Sequence, residues 1–159
     1  MSMKIDKILV PVDFSDYSIA ALKYSTEFAL VFGAELVVAY VLEPMMYPPD
    51  LTVGQIPLPP YEAEVSDKAK TELEKLVEPY QNNVRITTIV RAGKPFLEIV
   101  DLAKETDADL IIISSHGRTG MEHLLFGGTS EKVIRKAPCP VLTLRNPEKG
   151  FNFKEVKQG

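Results

Sequence analysis

A glycine-rich stretch between residues 114 and 130 is the part of the sequence best suited to bind a ligand. It reads Ser114-Ser-His-Gly-Arg-Thr-Gly-Met-Glu-His-Leu-Leu-Phe-Gly-Gly-Thr-Ser130 and holds four of the nine glycines. Glycine lets backbone approach a ligand closely, and the helix predicted to start at Ser130 offers unpaired N–H groups and a partial positive charge. The pattern favours phosphate binding, although neither a Walker loop nor a Gly-x-Gly-x-x-Gly motif occurs.

Three polar side chains are candidates for contact with such a ligand. Asp13 follows a short apolar run, where a carboxylate either caps a helix or turn or accepts hydrogen bonds from a ligand. His116 suits a contact through its backbone or its ring, and Arg118 either reaches a phosphate or is solvated. Because no nucleophile–base pattern surrounds His116, the sequence predicts no catalytic residue, and it predicts no metal site.

The elements that must position these residues alternate regularly. Helices are predicted to begin at Ser15 or Asp16, near Ala69, at Pro95 and at Ser130, and Gly33 is predicted to end the first of them. Apolar runs predict strands at residues 7–13, 36–42, 84–91, 110–115 and 141–145. This order predicts an α/β fold with an open, Rossmann-like parallel sheet of five strands and helices on both faces.

Ligands of such sheets bind at the carboxyl ends of the strands, where the strand order reverses. Three segments should meet at that edge of the sheet: residues 11–13, the loop after Val41, and residues 114–117. The glycine-rich stretch and Asp13 are therefore expected to face each other across one site.

The segment from residue 43 to residue 60 is rich in proline. It holds six of the twelve prolines, and each proline removes a hydrogen-bond donor and fixes φ. We predict a stiff crossover loop, which is either a lid or partner contact or a tolerated surface insertion. The loop lies inside a single domain at residues 1–146, which is followed by a polar tail at residues 147–159.

The composition indicates in which compartment the protein works and which classes of partner are not expected. Eighteen Lys and Arg against 22 Asp and Glu give a net charge of −4, so neither nucleic acid nor an anionic membrane is expected as a partner. The single cysteine, Cys139, fits a reducing compartment and is predicted to fill apolar space. The start of the chain lacks a secretory apolar core, and no apolar run approaches the ~20 residues that span a bilayer, so we expect a soluble, cytoplasmic protein.

Four segments together resemble the universal stress protein family, over residues 4–145. They are Ile-Leu-Val-Pro-Val-Asp-Phe-Ser at 8–15, Ser-His-Gly-Arg-Thr-Gly at 115–120, Leu-Leu-Phe-Gly-Gly-Thr-Ser-Glu-Lys-Val at 124–133, and Ala-Pro-Cys-Pro-Val-Leu at 137–142. The resemblance implies a parallel sheet of strand order 3-2-1-4-5 and a homodimer joined through the last strand, residues 141–145. It also implies that some members bind ATP or another adenine nucleotide, whereas others do not.

The nucleotide-binding members share the pattern Gly-x-x-Gly, nine residues, then Gly-Ser/Thr. In this chain Ser114 stands at the first glycine, Gly117 at the second and Gly127 at the third, and Gly128 occupies the hydroxyl position. Two of the four positions therefore depart from the family pattern. By the same resemblance, Thr129 or Ser130 offers phosphate the hydroxyl that Gly128 lacks.

The resemblance also assigns residues to the nucleoside. Pro11, Val12 and Asp13 would lie against adenine and ribose, with Asp13 accepting from a ribose hydroxyl or from the adenine amino group. Val41 would line the base pocket. Mg²⁺ is expected only together with the nucleotide.

Three functions are consistent with these residues. The first is a dimeric universal stress protein that binds ATP and acts as a sensor or regulatory module in the stress response. The second is a dimeric interaction protein that no longer binds nucleotide, because its motif departs at Ser114 and Gly128. The third is slow ATP hydrolysis, against which stands the absence of an acidic metal cluster in the sequence.

Overall fold

The computed structural model describes residues 3–44, 59–115 and 128–145, except for the side chains of residues 59–62. Within these ranges, strands and helices alternate along the chain. They are β1 Lys7–Val12, α1 Asp16–Phe32, β2 Glu35–Leu42, α2 Pro59–Val77, β3 Ile86–Ala92, α3 Pro95–Glu105, β4 Leu110–Ser114, α4 Thr129–Lys136 and β5 Val141–Leu144, with a short 3-10 helix, Glu78–Tyr80, after α2.

The five strands form one parallel sheet of order β3-β2-β1-β4-β5. This confirms the α/β fold predicted from the alternation, and it confirms the strand order 3-2-1-4-5 that the family resemblance implies. β3 and β5 are the edge strands. β1 lies in the middle of the sheet, between β2 and β4.

The predicted helix boundaries follow from local chemistry. Ser15 is the N-cap of α1, and its side chain accepts a hydrogen bond from the backbone N–H of Ser18. Gly33 ends the helix in the left-handed conformation, at φ 67°, which glycine adopts without a steric penalty. Pro95 opens α3, where its missing N–H needs no partner.

The start of α2 differs most from the prediction. Helix α2 begins at Pro59, inside the segment predicted as a loop over residues 43–60. Pro59 and Pro60 occupy the first turn, where helix N–H groups have no partner within the helix, so two prolines are tolerated there. Residues 45–58 of the predicted loop lie outside the described residues.

The sheet carries a core on each face. Helices α1 and α2 pack on one side, which we call the α1/α2 face, through fully buried Leu22 and Leu73. Helices α3 and α4 pack on the other side, the α3/α4 face, through Leu102 and Val133. Because side chains alternate along a strand, even-numbered residues such as Ile112 face α1 and α2, and odd-numbered ones such as Ile111 face α3 and α4.

The amino ends of β1 and β4 are joined by a carboxylate. Asp109 Oδ2 accepts hydrogen bonds from the backbone N–H groups of Asp6 (2.9 Å) and Lys7 (3.0 Å). The Nζ of Lys7 donates to the carbonyl of Thr106 at 3.0 Å. These contacts fix the register at the amino edge, opposite to the edge at which ligands of such sheets bind.

Cys139 packs against the core of the α3/α4 face, as its apolar surroundings in the sequence predict. Burial raises the pKa of its thiol, and the negative charge of Asp109 raises it further. A smaller thiolate fraction at a given pH makes this cysteine a poor nucleophile.

At about pH 8 we therefore expect iodoacetamide to modify Cys139 more slowly in the folded protein than in the urea-unfolded chain, as intact mass over time would show. Replacing Asp109 with asparagine removes the charge and keeps an acceptor oxygen, so it should lower the pKa and speed the reaction. Equal rates for the folded and unfolded protein would contradict this account.

None of the helices in the described part of the chain is long and apolar enough to cross a membrane.

Candidate functional site

The order of the strands reverses between β1 and β4, and pairing ends early there. The ladder between them contains two residue pairs, Ile8–Leu110 and Leu9–Ile111, whereas β1 pairs with β2 as far as Val12. β1 and β4 thus stop pairing with each other before either strand ends, which opens the switch point at the carboxyl edge of the sheet. This is the position at which open parallel sheets bind ligands.

Asp13 leaves β1 at this edge and is held in a tight turn. Its Oδ1 accepts hydrogen bonds from the backbone N–H of Ser15 at 3.0 Å and from the Ser15 hydroxyl at 2.5 Å. Its own N–H donates to the hydroxyl of Ser18 at 3.1 Å. The side chain is half-buried, so the carboxylate is both oriented and accessible.

The other residues predicted to contact the nucleoside lie on different faces of the sheet. Val41 packs against the core of the α3/α4 face, and Pro11 has the same parity in β1 as Leu9 of that core. Val12 is 4% exposed and belongs to the core of the α1/α2 face. The structure therefore places Pro11 and Val41 on one face, and Val12 can reach a ligand on that face only through its backbone.

Ser114 is an ordinary strand residue. It is the last residue of β4, it pairs with Leu144, and it is 7% exposed. The non-glycine residues with positive φ in the described ranges are Phe14 and Asp107, so position 114 does not need the conformational freedom of the glycine in the family pattern. The serine is accommodated without backbone strain.

Gly128 is the residue that precedes α4, and its backbone is extended at φ −67° and ψ 161°. As a glycine, residue 128 has no side chain with which to cap this helix end. A Cβ built on Gly128 would meet no atom within 4 Å in the described structure, and this φ suits any residue. Glycine is therefore not required at position 128 for steric reasons.

The N-terminus of α4 points toward the carboxyl edge of the sheet. The helix ends at Lys136, and the chain then enters β5 at Val141, which pairs with Ile111 near the start of β4. Eight residues of helix span about 12 Å, which carries its N-terminus back along the strands. Its exposed Thr129 and half-buried Ser130 thus lie in the first turn of a helix whose unpaired N–H groups suit an anion.

Four predicted residues, His116, Gly117, Arg118 and Gly127, lie outside the described residues. In the described ranges, no group of three or more His, Cys, Asp or Glu side chains could hold a metal ion.

An open cavity of about 410 Å³ lies beside the same edge, on the α1/α2 face. Its lining combines aromatic, aliphatic and charged residues from the end of β1, from β2 and from α2: Phe14, Tyr40, Leu42, Val65, Lys68, Ala69 and Glu72. A larger cleft of about 470 Å³ lies near the opposite edge and includes Asp6, Glu35 and Arg85. The size of a cavity therefore does not identify the binding site. We place the site at the switch point because of the strand order.

From the sequence, Ser15 is expected only to cap a helix, and no role is predicted for Ser18 or for the backbone of Phe14. Ser15 binds the side chain of Asp13, Ser18 binds its backbone, and Phe14 has φ 63°. The Asp-x-Ser spacing is a recognised signal for a side-chain turn and could have revealed the first contact. No local signal reveals the second contact or the conformation of Phe14.

An open parallel sheet with a polar switch point and a helix N-terminus beside it defines a class of ligand-binding α/β proteins. Comparison with known sequences identifies the family to which the chain belongs within this class. The chain belongs to the universal stress protein family, whose family model matches residues 4–145. Universal stress protein MJ0531 of Methanocaldococcus jannaschii is 35% identical over 145 residues, which cover 90% of this chain and 84% of that protein. Universal stress protein YxiE of Bacillus subtilis is 31% identical, over 88% of this chain and 99% of its own.

Solved structures share the fold. The universal stress protein UspA from Lactobacillus plantarum superposes with a TM-score of 0.75 at 26% identity, over 91% of this chain and all of that one. Two more distant neighbours were solved with nucleotides. One, from Archaeoglobus fulgidus, is a complex with dAMP (TM-score 0.62, 24% identity, 90% of this chain and 100% of that one). The other is a complex with cAMP (TM-score 0.63, 22% identity, 90% of this chain and 98% of that one).

Proposed function

We propose that this universal stress protein binds an adenine nucleotide, ATP with Mg²⁺, and acts as a sensor or regulatory module in the stress response. The observation that carries the proposal is the pairing of two features at one edge of the sheet. Asp13 is an oriented carboxylate at the switch point, and the N-terminus of α4, preceded by Gly128, points toward the same edge of the sheet. A nucleotide needs both, since its sugar and base donate hydrogen bonds and its phosphates accept them.

Each predicted residue has a part in this proposal. Asp13 accepts from a ribose hydroxyl or from the adenine amino group, Pro11 and Val41 contact the base from the α3/α4 face, and Val12 contributes backbone. Phosphate is bound by the N-terminus of α4 and by the glycine-rich stretch, and the metal ion enters only with the phosphates. The residues assigned to phosphate are Ser114, His116, Gly117, Arg118, Gly127, Gly128, Thr129 and Ser130.

The proposal also includes a homodimer that forms through the C-terminal strand. It places the protein in the cytoplasm, without nucleic acid or membrane partners. β5 lies at the edge of the sheet, and Val141, Leu142 and Thr143 are half-exposed. An edge strand presents unpaired backbone groups that a second copy of the strand can satisfy.

The absence of a glycine at 114 and of a hydroxyl at 128 favours a second candidate function, which is a dimeric interaction protein that has lost nucleotide binding.

Two substitutions with opposite expected effects test nucleotide binding. Asp13→Asn keeps an acceptor for Ser15 but removes the charge, so the Kd for ATP with Mg²⁺ should rise about tenfold. Gly128→Ser has room for its side chain and restores a hydroxyl at the helix cap, so the Kd should fall by about tenfold. Calorimetry on nucleotide-stripped protein would measure both.

Matched controls separate binding from folding. The unfolding midpoint of each variant without nucleotide should stay close to that of the original protein, because neither change removes a core contact. Absence of heat with ATP for both the original protein and Gly128→Ser would overturn the proposal in favour of the interaction protein. Phosphate release above background that disappears in Asp13→Asn would instead indicate hydrolysis.

A further inference from the structure

The hydrogen bonds around Asp13 form a network with the start of α1. The Ser15 hydroxyl donates to Asp13 Oδ1 at 2.5 Å and accepts from the backbone N–H of Ser18 at 3.2 Å. The Ser18 hydroxyl accepts from Asp13 N–H at 3.1 Å and donates to the Ser15 carbonyl at 3.1 Å. Asp13, Ser15 and Ser18 are thus hydrogen-bonded to one another, and Ser18 is buried at 4% exposure.

The geometry fixes the direction of the Ser15 proton. A serine hydroxyl has one proton to donate, and the N–H of Ser18 already occupies an acceptor position on this oxygen. The proton therefore points to the carboxylate of Asp13. Together with the Ser15 backbone N–H on the same oxygen, it holds the carboxylate in one orientation at the end of β1.

The backbone between the two residues supports the same orientation. Phe14 has φ 63°, a left-handed conformation that is sterically unfavourable for a non-glycine residue. Its ring packs on Tyr40, with centroids 4.9 Å apart, so the turn that carries Asp13 is anchored to β2. Residues held in such sparsely populated conformations tend to cluster at functional sites.

We propose that Ser15 is a positioning residue for nucleotide recognition, which fixes the Asp13 carboxylate before the ligand arrives. This inference rests on the proposed function. Orienting a flexible side chain during binding costs conformational entropy, and Ser15 removes that cost in advance. Loss of the hydroxyl should therefore weaken binding about threefold to tenfold, and only through Asp13.

A double-mutant cycle tests the inference, because Ser15 is also the cap of α1. Calorimetry with ATP and Mg²⁺ would compare Ser15→Ala, Asp13→Ala and the double variant with the original protein. We expect Ser15→Ala to weaken binding in the original background and to have no further effect once Asp13 is alanine. Ser15→Thr keeps both a hydroxyl donor and a helix cap, and should restore binding.

A capping role and a positioning role for Ser15 predict different results in this cycle. If Ser15 acted only as a cap, Ser15→Ala would lower the unfolding midpoint, and its effect on the Kd would be nil or the same in both backgrounds. That result would overturn the positioning role and leave nucleotide binding intact. If the original protein bound no ATP, the proposed function would fail, and the positioning role with it.

Discussion

Replacing Ile112 with alanine is expected to lower the free energy of unfolding by about 3 kcal/mol. Ile112 has no solvent exposure, and it lies in β4 within the core of the α1/α2 face. Ile112 pairs with Leu142 of β5, and the preceding Ile111 pairs with both β1 and β5, so the backbone next to Ile112 is held on both sides. A cavity left there cannot easily collapse, and the cost is the lost transfer free energy plus the cavity itself.

Ile134 provides a matched control for the same change. It lies in α4 and is 52% exposed, so Ile134→Ala loses little buried surface and gains helix propensity. We expect a change within about 0.5 kcal/mol. Urea denaturation of both variants would give the two free energies, with equal slopes if each unfolds in two states. Similar losses at the two positions would show that the assigned core is wrong.

Ile112 also shows why the fold is predictable from this sequence. It sits in a short, uninterrupted run of β-branched and aliphatic residues, and such a run is typical of a strand covered on both faces. Local signals at Ser15, Gly33 and Pro95 mark where helices begin and end, because capping chemistry depends on neighbouring residues only. The start of α2 at Pro59 escaped prediction, since proline forbids a helix interior and permits a first turn.

The site is predictable in part. Asp13 and Gly128 can be located from the sequence because a strand end and a helix start are local features. The face to which each residue points is not local, because it depends on which helices cover which side of the sheet. The structure shows that Val12 faces α1 and α2, whereas Val41 faces α3 and α4.

The conformation of Phe14 is the clearest case of a feature that the sequence does not predict. An aromatic residue is a poor choice for φ 63°, and local propensity favours glycine or asparagine there. The ring contact with Tyr40, 26 residues further along the chain, joins the turn to β2. A tertiary contact has overridden a local preference, and such contacts are found only once the strands are paired.

Because of this left-handed conformation, we expect glycine to be a more stable replacement for Phe14 than alanine. Phe14→Ala should lower the free energy of unfolding by about 2 to 3 kcal/mol, because it removes the ring from Tyr40 and keeps the left-handed backbone. Phe14→Gly loses the same ring, but glycine adopts this backbone without strain. We therefore expect the glycine variant to be about 1 kcal/mol more stable than the alanine variant.

Phe28 tests whether the order comes from the backbone. It is a half-buried phenylalanine in the interior of α1, where the ring stacks on Phe32 at 4.7 Å. In a right-handed helix, glycine should be about 1 kcal/mol less stable than alanine. Thermal or urea unfolding of the four variants would thus give opposite orders at positions 14 and 28. If alanine were the more stable replacement at both positions, the turn would hold no backbone strain.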